Sequence, residues 1–194
     1  AVDLDTSKLA IFGPDEINTV TISEAAQASG ALPGFYKPAR IRGVDYIDGG
    51  VHNTADIKLA FDKGADLVIC YNPFRPYNNK IFLEFLEDEK KFITKKKRLS
   101  NWGMATVLHQ VFRTLFHCRL EAELENLRKD PKFKKDIILI QPTEDDSDFF
   151  AMNPIFFWKR GEAAKLGFDS VTQSLSRHHA AVAKVLKAHG MGIS

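Results

Sequence analysis

The sequence is poor in the residues that would mark a disulfide scaffold or a metal-built fold. It has only two cysteines, Cys70 and Cys118, 48 positions apart and in no CxxC pair, which excludes a disulfide framework and a zinc knuckle. Each lies in an apolar stretch and reads as a small core hydrophobe. Long apolar runs are also missing: Ile137 to Ile140 is far short of the ~20 residues that span a bilayer. No signal-peptide pattern is expected within these residues. An excess of one charge is missing too, since 27 Lys plus Arg against 25 Asp plus Glu leave +2, too even for nucleic acid as the main partner or for an acidic scaffold. No internal repeat or low-complexity tract occurs.

What is present suits one folded domain. The 194 residues are 44 % apolar and 27 % charged, near globular averages. The chain opens at Ala1 with no Met, and Val2 to Leu4 already reads as a strand, so it looks like a piece of a longer polypeptide. Short β-like pieces and turn formers alternate to Ile22, and Ser23 is a plausible N-cap for a helix from Glu24 to Ala28. Ser29 to Gly34 is made of small residues plus Pro33, which suits a loop passing close to another backbone. Ala39 to Ile41 and Val44 to Ile47 form a hairpin-like pattern around Gly43.

From Thr54 the apolar spacing turns helical, with Gly64 placed as the stop. Leu67 to Tyr71 is a continuous apolar run, the pattern of a strand buried on both faces. Strand, glycine turn, helix and buried strand in that order predict a βαβ unit and an α/β fold. Residues 80 to 130 are helical in composition, with a break near Leu99 to Gly103. The second helix carries Val107, Val111, Leu115, Leu120, Leu124 and Leu127 near one face and ends at Pro131. A strand over Ile137 to Ile140 precedes a last helix from about Asn153 to His189, with interruptions expected near Gly161 and Gly167.

The sharpest local signal is Tyr46-Ile47-Asp48-Gly49-Gly50. It puts a carboxylate at the carboxyl end of a strand, where ligands and catalytic groups gather in α/β sheets. Gly49 and Gly50 shape its turn, by permitting positive φ or by letting another segment approach closely. His52 reads as a solvent-facing turn residue. His109 and His117 are eight apart with no HExxH, and the acidic loop Glu144 to Asp148 lacks the Gly and terminal Glu of a calcium loop. Neither a metal nor a cofactor is expected.

The basic run Lys90, Lys91, Lys95, Lys96, Lys97 and Arg98, beside Phe82, Phe85, Phe92 and Ile93, has two readings. It is either a solvated helix face balanced by Glu84, Glu87, Asp88 and Glu89, or a cationic amphipathic helix that touches a membrane through Lys95, Lys96, Lys97 and Arg98. Phe149, Phe150, Phe156, Phe157 and Trp158 form a second aromatic cluster, read as packing against the sheet or as an exposed patch.

Residues 23 to 72 resemble the second half of the patatin-like phospholipase family. The likeness rests on the small-residue stretch Ala28, Ser29, Ala31, Pro33 and Phe35, on Asp48-Gly49-Gly50, and on Gly64-Ala65-Asp66 before a strand. The opening residues and Ile137 to Pro142 extend it over nearly the whole chain. His52, Asn53 and Asp56 fill the turn after the glycines, where Thr54 and Asp56 stand in place of the family's frequent Asn and Pro. The resemblance implies the C-terminal portion of a three-layer α/β/α domain with a mostly parallel sheet and added C-terminal helices. Residues 1 to 79 would hold the sheet and catalytic Asp, and 80 to 194 a helical region with one strand near 137 to 140.

The function it implies is a Ser-Asp dyad hydrolase of lipid acyl esters, with Asp48 as the dyad acid and no cofactor. None of the nine serines stands in a G-x-S-x-G elbow, and no glycine-rich oxyanion loop is present. The nucleophile would then come from an N-terminal half chain or a swapped partner. The alternative is a non-catalytic membrane-binding or protein-interaction module that retains half of the fold. A cytoplasmic or peripheral membrane location is the expectation in either case.

Overall fold

The computed structural model describes residues 1–78, 83–86, 91–94, 98–143 and 157–192. Lys95, Lys96 and Lys97, the acidic loop 144–148, and Phe149, Phe150 and Phe156 lie outside the described residues. The chain divides into two compact units, one of residues 1–68 and 119–135, the other of 69–118 and 136–194.

The first unit begins with β1 (Val2–Asp3), α1 (Ile22–Ser29), β2 (Ala39–Ile41) and β3 (Val44–Ile47). β3 is central and antiparallel to both neighbours, with Tyr46 opposite Asp3 on one side and Ala39 on the other. The expected hairpin is therefore present. Its core is small and tight: Ala10, Ala28, Ala31, Ala39, Ile41 and Tyr46 are buried together, and Phe12 meets the Tyr46 ring edge-on at 5.4 Å. Alanines suit this core because α1 packs directly on β2 and β3.

α1 starts two residues earlier than the Ser23 cap predicts. Thr21 is the N-cap, in a reciprocal capping box with Glu24: the Glu24 N–H donates to Thr21 Oγ1 at 3.2 Å, and Glu24 Oε2 accepts the Thr21 N–H at 2.7 Å. A threonine with glutamate three positions on satisfies two end donors at once, which a serine cap at position 23 would not do here. Thr21→Ala should cost about 1 kcal/mol of stability, read from a denaturant melt. An unchanged midpoint would show that this cap contributes nothing.

α2 (Ile57–Asp62) follows, three residues later than the Thr54 start, and ends where expected, with Gly64 at φ 99° just beyond the Lys63 cap. Ile57 and Phe61 are buried, and so are Leu120, Leu124 and Leu127 on the second half of α3 (Met104–Lys129). Phe133 closes this part edge-on against Phe61 at 5.0 Å.

β4 (Leu67–Tyr71) pairs with β7 (Asp136–Ile140), and this two-strand sheet is parallel. The class is thus mixed α/β, compatible with part of a patatin-like domain. The parallel element differs in place from the βαβ unit predicted across β3 and β4. A strand has two hydrogen-bonding edges, and those of β3 are taken by β1 and β2. Nor is β4 covered on both faces, since Ile69 and Tyr71 are 55 % and 42 % exposed.

The helix predicted between residues 80 and 98 is corrected. β5 (Leu83–Leu86) and β6 (Lys91–Thr94) form an antiparallel pair, with Phe85 opposite Phe92. Phenylalanine, isoleucine and threonine favour the pleated surface, whereas the helical reading rested on the charged residues around them. A cationic amphipathic helix across this stretch is therefore excluded at 83–86 and 91–94, and Arg98 stands exposed beyond β6.

A short 3-10 turn at Leu99–Trp102 precedes α3. Leu120, Leu124 and Leu127 are buried as the apolar spacing predicts, but Val111 and Leu115 are exposed, and Phe116 and Arg113 are buried in their place. Cys70 is buried as expected, whereas Cys118 is exposed on α3, away from the core. The last helical stretch is two helices, α4 (Arg160–Arg177) and α5 (His179–Ala188). They part at His178, not at Gly161 or Gly167, because small residues in an otherwise good helical sequence do not by themselves break it. Trp158 is 73 % exposed, so it is not packed against the sheet.

Candidate active site

Asp48 follows the last residue of β3 and caps the 3-10 turn Gly49–Val51. Two backbone bonds fix it. Its own N–H donates to the Ala31 carbonyl at 3.0 Å, and its Oδ1 accepts the Gly50 N–H at 2.7 Å. The small-residue stretch after α1 therefore does what its composition predicts: Ala28 and Ala31 are buried, and the loop passes within hydrogen-bond distance of the aspartate's backbone.

The glycines serve by space and not by φ. Neither Gly49 nor Gly50 is among the positive-φ residues, so of the two reasons read from the sequence only close approach applies. A Cβ on Gly49 would lie 3.3 Å from the backbone nitrogen of Ala1, tighter than ordinary contact. Gly50 is buried and presents its N–H to the carboxylate. The turn then closes on itself, with the His52 and Asn53 N–H groups both donating to the Gly49 carbonyl, at 2.9 and 3.0 Å.

The carboxylate is half-buried and asymmetric. Oδ1 is engaged, whereas Oδ2 has no partner among the described residues and is not among their buried unsatisfied atoms, so it reaches solvent. No ion pair holds Asp48 among the described residues. Burial pushes its pKa above the ordinary aspartate value, against the Gly50 N–H, which draws it down. A carboxylate anchored through one oxygen, open at the other and more basic than usual is suited to accept a proton from a neighbouring hydroxyl.

The residues after the glycines buttress this turn. Arg119 of α3 donates from Nη1 to the His52 carbonyl at 2.7 Å, and Asn53 Nδ2 donates to Asp56 Oδ1 at 2.8 Å. Asp56 takes a left-handed conformation, φ 45° and ψ 44°, and makes no side-chain cap for α2. Glu123 does that from α3, its Oε1 accepting the Lys58 N–H at 2.9 Å. His52 itself is exposed, as a turn histidine should be. Asn53, Lys58, Arg119, Glu123, Asn126 and Asp130 line a cleft of about 430 Å³ beside the turn.

Sequence reasoning missed Arg119 and Glu123, because nothing in a charged, amphipathic helix marks which charge will cap a distant turn. Among the described residues no cluster of three His, Cys, Asp or Glu could hold a metal ion. No described helix is long and apolar enough to cross a membrane.

The geometry is that of an α/β protein with an aspartate at a strand end, seated in a glycine turn against a small-residue loop. Residues 1–61 match the model of the family described as Patatin-like phospholipase. The match takes in the Thr21 cap, the alanine stretch, Asp48 and both glycines, and ends within α2; Gly64-Ala65-Asp66 lies beyond it. No curated protein matches the chain.

Proposed function

We propose that the chain is the C-terminal part of a lipid acyl hydrolase, a serine esterase of patatin-like type in which Asp48 is the acid of a Ser-Asp dyad. The observation that carries this reading is the Asp48 carboxylate: its Oδ1 is tied to Gly50, and its Oδ2 is left open at the end of β3 within the family match. In such a dyad Oδ2 takes the proton of the attacking serine hydroxyl, and backbone donors elsewhere hold the oxyanion of the tetrahedral intermediate.

The serine and the oxyanion loop belong to an N-terminal polypeptide or a swapped partner, since no serine of this sequence stands in a G-x-S-x-G elbow. The chain alone is inactive on this reading, because a carboxylate with no nucleophile cannot form the acyl-enzyme. The substrate is a lipid acyl ester and the working location a membrane periphery. The exposed side chains of β4, Ile69 and Tyr71, are consistent with a face that another segment completes.

The test is reconstitution. The coding region upstream is read for a glycine-rich loop and G-x-S-x-G, and that segment is co-expressed with this chain. Hydrolysis of a long-chain p-nitrophenyl ester by the assembly, with none by either part alone, is the expected result. An assembly that forms but leaves the ester intact would favour the non-catalytic module, a membrane-binding or interaction domain retaining half of the fold.

A further inference from the structure

The Asp48 turn is held from outside by a single side chain. Asp48 caps a 3-10 turn of three residues, Gly49–Val51, which ends at His52, and 3-10 hydrogen bonds hold a short turn less firmly than those of an α-helix. Arg119 Nη1 donates to the carbonyl of that terminal residue at 2.7 Å. The arginine stands on a rigid support, because Leu120 and Leu124 of the same helix stretch are 0 and 2 % exposed.

One helical turn further on, Glu123 Oε1 accepts the Lys58 N–H at 2.9 Å. α3 thus pins the segment after the aspartate turn at both ends, His52 and Lys58. Between them Asp56 sits at φ 45°, a left-handed conformation that a residue other than glycine keeps only where its surroundings impose it.

This hold bears on the carboxylate because the Gly50 N–H, the donor to Asp48 Oδ1 at 2.7 Å, belongs to the same turn. Burial raises the Asp48 pKa, while the Gly50 N–H and the terminal ammonium of Ala1 lower it; Arg119 is not among the charges that act on it. Releasing the turn weakens the Gly50 bond first, since hydrogen bonds fail steeply with angle and length. The burial is kept by β3 and by the bond from the Asp48 N–H to the Ala31 carbonyl, at 3.0 Å, which Arg119 does not touch.

We propose that Arg119 is a positioning residue for Asp48: through the His52 carbonyl it holds the turn so that the Gly50 N–H stays on Oδ1 and Oδ2 stays open. The inference deepens the hydrolase reading and rests on it for its kinetic part alone. Its first test needs no serine partner. The Asp48 carboxyl is titrated by carbon NMR in the full chain, and Arg119→Met should move the titration to higher pH. Arg119→Lys, which keeps the charge and one donor without the planar fork, should move it the same way by less. Arg128→Met, which removes an exposed cation from the same helix, should leave it in place.

In the serine-containing assembly, Arg119→Met should lower kcat about tenfold with KM little changed. The acid limb of its kcat/KM profile should move upward with the Asp48 titration. A titration that stays in place in both Arg119 variants, whatever their melting temperatures, makes the arginine structural and overturns the proposal. So does normal turnover in Arg119→Met where Asp48→Asn has lost it, a result that leaves the hydrolase reading standing. Normal turnover in Asp48→Asn would remove that reading, and the titration would then decide by itself whether Arg119 governs the carboxylate.

Discussion

Asp48→Asn is expected to lower ester hydrolysis in the serine-containing assembly by about 10²–10⁴-fold, the range a positioned general base supplies, with the melting temperature unchanged or slightly raised. The two halves of this result come from the same carboxylate. Asparagine keeps an Oδ1 that can accept the Gly50 N–H, now at 2.7 Å, and it leaves the Asp48 N–H to Ala31 carbonyl bond untouched, so the turn has no reason to open. What it loses is an oxygen that can take a proton.

The stability sign follows from linkage. The Asp48 pKa is raised in the folded chain, chiefly by burial, so the folded state holds the proton more tightly than the unfolded one. Stability therefore falls as pH rises through the window between the ordinary aspartate value and the raised one, and the ionised group is a net cost at neutral pH. A neutral isostere removes that cost. Near-normal turnover in the variant would show that Asp48 does not accept the proton, and a large fall in melting temperature would show that the carboxylate is structural.

How far the sequence reveals this arrangement depends on how local each cause is. The Asp48-Gly49-Gly50 turn and the Gly64 helix stop are legible because they are set by residues within a few positions of one another. The approach of the Ala31 loop is legible only as a tendency, since alanine and glycine permit close packing without naming the partner. Strand pairing is not legible in this way: Val44–Ile47 and Leu67–Tyr71 both read as strands, but which edge is already filled depends on β1, dozens of residues upstream. The same limit applies to α3. Its apolar period is visible throughout, yet only the fold decides that Leu120 and Leu124 are covered while Leu108 and Leu115 are not. At residues 83–94 charged neighbours misled the reading, where phenylalanine, isoleucine and threonine held the better signal.

The second large effect lies in the other unit, at Arg113. Gln110, Arg113 and Phe116 recur every three residues along α3 and together hold the segment that leaves β4. Gln110 exchanges two bonds with the Tyr77 backbone, at 3.2 and 2.8 Å, and Phe116 meets Phe74 edge-on at 5.0 Å. Between them the Arg113 guanidinium donates from Nη1 to the Pro73 and Arg75 carbonyls, at 2.8 and 3.1 Å, and from Nε to His109 Nε2 at 3.1 Å.

Arg113→Met conserves the volume but removes the donor described for two carbonyls, at about 1–3 kcal/mol for each acceptor left unsatisfied. A loss of about 3 kcal/mol, or roughly 6–12 °C for a chain of this size, is expected. Arg113→Lys should recover only part of it, because one ammonium cannot reproduce the planar fork.

A pH signature accompanies this. Burial, with the Arg113 charge adding to it, lowers the His109 pKa from 6.5 to about 4, while Arg113, lowered by burial to about 10, stays charged at neutral pH. His109 is thus neutral with Nε2 as acceptor, which places its proton on Nδ1. Because the unfolded chain binds the histidine proton more readily, stability is full above about pH 6.5 and falls as pH drops toward 4. His109→Gln, which keeps an acceptor but cannot titrate, should flatten that slope in melts taken across the window. If the slope persists in His109→Gln, or if Arg113→Met melts with the parent, this cluster does not hold the β4 exit on α3.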